Sequence, residues 1–124
     1  MKSMLPVHFE VNNSTAIFYY VLDERMKLDS ADAIANGTVG AHAANGVDVV
    51  IYGNDQATSA FEWSTLSGAE GALTDATKTA LVDQGSGKTI FDAGSIVKVS
   101  IGKSGTGPSA DCNLCLHFSQ ARSY

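Results

Sequence analysis

Hydrophobic positions along this chain recur mostly at every second residue, in short runs separated by Gly, Asn, Asp and Ser. A period of two sends alternate side chains to opposite faces and predicts half-buried β-strands. Leu5, Val7, Phe9 and Val11 share one phase of the first run, and Asn12-Asn13-Ser14 closes it as a turn. Val47, Val49 and Ile51 repeat the pattern before Gly53-Asn54-Asp55, and Phe61, Trp63 and Thr65 repeat it after. A short strand over Lys88 to Phe91 leads to the turn Asp92-Ala93-Gly94. Val97, Val99 and Ile101 then share a face, opposed by Lys98 and Ser100, and Cys112, Leu114, Leu116 and Phe118 are in phase in the last run.

Three stretches depart from this alternation. Ala16 to Leu22 is continuously apolar and aromatic, the pattern of a strand covered on both faces. Asp23-Glu24-Arg25 breaks it, with Met26-Lys27-Leu28 as a continuation. Asp29 to Asn36 predicts at most two turns of helix, capped by Asp29 or Ser30 and ended by Gly37. Asp75 to Gln84 fits either a helix capped by Thr74 or Asp75 or a strand over Lys78 to Val82, and the threonine content favours the strand. The sum is eight or nine short strands with turns about every ten residues. That spacing implies an all-β fold, an antiparallel β-sandwich of jelly-roll-like form with at most one or two short helices. Residues 1–124 form a single domain in this reading, with 1–6 as an N-terminal arm.

Composition narrows the partners. Charged residues make up 17% of the chain, below the usual ~25%. A surface with so few charges suits a chain partly covered by neighbours. The net charge of −5 and the scatter of the eight Lys and Arg residues disfavour nucleic acid and anionic membranes. Met1 to His8 holds no apolar signal-peptide core, and no run reaches the ~20 apolar residues of a spanning helix. Synthesis in a reducing cytosol is therefore expected, and the sequons at Asn12, Asn13 and Asn36 carry no weight.

Candidate chemistry is thin. Cys112 and Cys115 have no second pair with which to hold zinc, and residues three apart on a strand face opposite ways, so free thiols are expected. Gly85-Ser86-Gly87-Lys88-Thr89 looks like the end of a phosphate-binding loop, but Val82 stands where the leading glycine belongs. A hairpin loop is the plainer reading. His8, His42 and His117 have no ligand spacing; His8 and His117 lie out of phase with the apolar residues, toward solvent or a subunit contact. Asp29 and Asp32 read as caps of a helical turn. Neither a catalytic constellation nor a metal or cofactor site is expected. Trp63, with Phe61 and Tyr52, would form a sugar-stacking platform if exposed, and core packing is the competing role. Tyr19 and Tyr20 are adjacent, so one faces each side of its strand, and an exposed Tyr suits a subunit interface.

Gly46 to Asp55, followed by Phe61-Glu62-Trp63, resembles small virion proteins of tailed bacteriophages, which carry a strand ending in a Gly/Asn/Asp turn before an aromatic strand. Lys88 to Val99 is similar to their later element of apolar strand, glycine turn and alternating strand. The two segments cover about a quarter of the chain. The resemblance implies a capsid cement, or decoration, protein of β-sandwich fold, made in the host cytoplasm and placed on the capsid surface of the virion. It would bind the major capsid protein and itself, as a trimer or dimer. Leu5, Pro6, Tyr19, Tyr20 and Pro108 are the candidate contact residues. The alternative is a lectin-like module that stacks glycans on Tyr52 and Trp63.

Overall fold

The computed structural model describes residues 2–11, 16–40, 46–65, 70–104 and 110–121, with side chains over 16–40, 46–65, 70–102 and 112–121. Ten strands appear among these residues, and no helix. They are β1 (Lys2–Val11), β2 (Ala16–Val21), β3 (Met26–Asn36), β4 (Gly46–Tyr52), β5 (Ser59–Ser64), β6 (Lys78–Ala80), β7 (Val82–Asp83), β8 (Ile90–Phe91), β9 (Ile96–Ser104) and β10 (Ala110–Gln120).

The strands form two five-stranded antiparallel sheets. One runs β1-β10-β3-β6, with β8 also paired to β3; the other runs β2-β9-β4-β5-β7. Pairing is nested: β1 with β10, β2 with β9, β3 with β8, β4 with β5. A long hairpin folded double and rolled up gives this order, which is the jelly-roll form of the β-sandwich.

The inner faces hold one apolar cluster. Val47, Val49, Ile51, Phe61, Val97, Val99 and Ile101 supply it from one sheet; Leu28, Cys112, Leu114, Leu116 and Phe118 supply it from the other. All but Leu28 lie in the phases that alternation grouped on one face. Phe91 and Phe118 meet edge to face at 6.3 Å. Thr65, the polar residue buried among them, exchanges hydrogen bonds with Val47, whose N–H donates to Thr65 Oγ1 at 2.9 Å.

Four expectations change. Asp29 to Asn36 is the latter part of β3, not a helix. Ala31, Ala33 and Ala35 are buried in strand alternation, and their high helix propensity yields to sheet pairing on both sides. The register of β3 against β10 slips between His117 and Phe118, so Leu28 and Ala31 both reach the core while Asp29 and Ser30 face out. Asp32 therefore caps nothing. Met26-Lys27-Leu28 does not continue β2, because it begins β3 in the opposite sheet. The expected strand over Lys78 to Val82 is two pieces: β6 joins one sheet, β7 the other, and buried Leu81 marks the crossing. Residues 2–6, expected as an arm, are the first half of β1, paired to β10 from Lys2 onward.

The loops are held by side-chain hydrogen bonds. Asp55 accepts from the N–H groups of Ala57 and Thr58 through Oδ1 and from Thr58 Oγ1 through Oδ2. Asn54 donates from its N–H to the Lys88 carbonyl and from Nδ2 to that of Ile90. Gly53 packs so close to Lys88 that an added Cβ would stand 2.7 Å from the Lys88 Cβ and carbonyl oxygen. The Gly53-Asn54-Asp55 turn is thus a latch onto the 88–90 segment.

Candidate assembly surface

β2 is an edge strand, paired to β9 on one side and to nothing among the described residues on the other. Its alternation is regular even though its sequence shows none: Ile17, Tyr19 and Val21 face outward, and Phe18 and Tyr20 face the core. The expectation of cover on both faces is overturned, because Ile17, Tyr19 and Val21 are 49%, 58% and 65% exposed. Their partners on β9 are Ser100, Lys98 and Ile96. Beyond Ser100, half-buried Val50 stands opposite it on β4. The stretch from Ala16 to Leu22 carries no charge.

The contact candidates divide. Tyr19 lies on the exposed stripe, whereas Tyr20 is half-buried against the core, and burial raises its phenol pKa. Leu5 and Pro6 lie in β1, opposite Leu116 and Cys115. β1 is the edge of its sheet, where a residue without an N–H is tolerated. Pro108 lies outside the described residues. Ile17 and Val21 belong with Tyr19 but carried no signal, since a run without polar residues has no phase to read.

Tyr52 and Trp63 do not form a platform. Trp63 is opposite Val49, in the core-facing phase, and its Nε1 donates to the Gly71 carbonyl at 3.0 Å. Tyr52 follows Ile51 into the outward phase, where Lys98 Nζ lies 4.9 Å from its ring centroid. The two rings thus belong to opposite faces of one sheet.

The remaining polar groups are structural in their arrangement. Cys112 is buried and Cys115 half-buried on the opposite face of β10, and neither is in a disulfide. His117 Nε2 lies 2.7 Å from Asp32 Oδ2, a cross-strand hydrogen bond between β10 and β3. No local signal marks this pair, whose members lie 85 positions apart. No group of three or more His, Cys, Asp and Glu side chains among the described residues could hold a metal ion. His42 lies outside those residues. In the phosphate-loop-like segment, Gly85 donates to Asp83 Oδ1, Lys88 N–H donates to Ser86 Oγ, and Lys88 Nζ lies 3.8 Å from Asp55. The segment leads into β8, so the helix N-terminus that such loops use to hold phosphate is absent there.

Comparison of the chain with protein-family models, with curated proteins and with solved structures finds no match in any of the three.

Proposed function

We propose that this chain is a structural protein that works by assembly, binding a capsid of the tailed-bacteriophage kind and stabilising it through contacts with capsid subunits and with its own copies. The carrying observation is the uncharged stripe of Ile17, Tyr19 and Val21 on the outer face of an edge strand. Burying such a stripe against another subunit gains about 25 cal/mol per Å2 of apolar surface removed from water. An edge strand adds unpaired backbone groups that a partner can bond. Jelly rolls serve in viral capsid domains and in lectins alike, so the fold is an analogy and the surface carries the argument. The separation of Tyr52 from Trp63 weighs against the lectin alternative.

The test is co-sedimentation with shells assembled from the major capsid protein of the same source. Binding is expected, with a higher temperature of shell disruption. Tyr19→Lys, which places a charge in the stripe without touching the core, is expected to weaken binding at least tenfold. A folded protein that leaves the shells unbound at every concentration would overturn the proposal.

A further inference from the structure

The sheets of this molecule have four edges among the described residues, and three of them are blunted. β1 carries Pro6 and Lys2; β6 and β8 are three and two residues long; β7 is two residues long. Short strands, proline and lysine are the usual protections against edge-to-edge pairing. β2 has none of them. It is six residues long, regular in register, and without charge, proline or glycine.

The core is also unfinished at this edge. Phe18 and Tyr20 point inward yet remain only partly buried, while Val99 and Val97, their partners one strand further in, are fully buried. Both faces of β2 therefore leave apolar surface in water, and a strand laid alongside would cover part of each.

From these features we infer that β2 pairs with β2 of a second copy of this chain, antiparallel about a two-fold axis through Tyr19, joining two sheets into one of ten strands. The inference rests on the assembly reading and names one of its partners. Two-fold antiparallel pairing requires a strand complementary to itself. Centred on Tyr19, the register sets Ile17 opposite Val21 and Phe18 opposite Tyr20, in both directions, so like faces meet like faces. All seven uncharged positions from Ala16 to Leu22 overlap in this register, and no other centre achieves that. Charge agrees as well. Two molecules of net charge −5 approach along their uncharged stretch, and antiparallel pairing puts the Asp23-Glu24 segments of the two copies at opposite ends of the seam, not opposite each other. One strand seam buries less than the roughly 1,200 Å2 of a stable interface, so the dimer is weak in solution and strengthens when copies are held close on a shell.

Sedimentation velocity on the full chain, over a wide concentration range, tests this. The wild type is expected to pass from monomer to dimer. Ile17→Glu with Val21→Glu sets glutamates against each other across the seam and should weaken the dimer at least tenfold. Ile17→Lys with Val21→Glu sets opposite charges across the same seam and should retain it. Both positions are on the exposed face, and circular dichroism checks that the fold persists. A wild type that stays monomeric throughout, or a dimer indifferent to the paired glutamates, would overturn the inference. A monomer that still binds shells sinks the dimer and leaves the assembly reading standing; a dimer that ignores shells does the reverse.

Discussion

Asp55 shows how much a single exposed residue contributes to loop order. Hydrogen bonds from the Thr58 hydroxyl, the Thr58 N–H and the Ala57 N–H, with the Lys88 charge nearby, hold its carboxyl well below the usual carboxylate range. A folded-state pKa below the unfolded one stabilises the fold above the unfolded value, and that contribution fades as pH falls toward the folded value. Urea unfolding of wild type and Asp55→Asn should therefore differ most near neutral pH and converge as the pH drops below about 4. A constant difference across that range would refute the linkage. Gly53, two positions earlier, is required by closeness to Lys88 and not by its backbone angles. Gly53→Ala forces the 88–90 segment to move and should cost about 1–3 kcal/mol in the same measurement.

At the level of elements, legibility followed phase. Where apolar and polar residues alternate, as in Val47 to Ile51, Val97 to Ile101 and Cys112 to Phe118, the buried face was readable because the pleat has the same period. Where the contrast vanishes, the reading fails for a physical reason. β2 is apolar at every position, and a strand covered on both faces has the same appearance as an edge strand with an exposed stripe. From Ala31 on, β3 sets alanines inward and Asp32, Ile34 and Asn36 outward, and alanine, being small and helix-prone, disguised the alternation. The bulge at Asp29 and Ser30 then shifts the phase once, so no single period fits the whole strand. The corrected reading of β3 has a direct consequence. Ala33 is fully buried between β10 and β6, while Ile34 is partly exposed. Ala33→Leu should overpack the core and cost about 1–3 kcal/mol by urea unfolding, whereas Ile34→Thr should change stability by less than about 0.5 kcal/mol. A helix over these residues would not impose that one-residue contrast. The His117–Asp32 pair and the free edge of β2 were illegible because both depend on which strands become neighbours, and local sequence does not encode strand order.

On the scale of the whole molecule, nested pairing ties the two ends of the chain together, since β1 lies against β10 and every later pair closes inside that one. Almost no strand pair is local, so neither sheet is complete until the chain is nearly all in place. The two sheets also share one continuous apolar cluster, so each forms the other's inner wall. Cooperative unfolding follows, with a single transition for both sheets. Leu114 and Trp63 make this measurable. Leu114 is fully buried on β10, in one sheet, and Trp63, the chain's single tryptophan, stands on β5 in the other. Leu114→Ala should cost about 2–5 kcal/mol, because the removed side chain leaves a cavity that a sheet wall cannot collapse to fill. Trp63 fluorescence, which reports only its own sheet, should show the full loss at the same urea midpoint as far-ultraviolet circular dichroism, which reports both. If Trp63 instead kept its wild-type midpoint while circular dichroism shifted, the sheets would unfold independently. The molecule would then be two layers in contact, and an assembly contact at β2 could not draw on the stability of the sheet behind it.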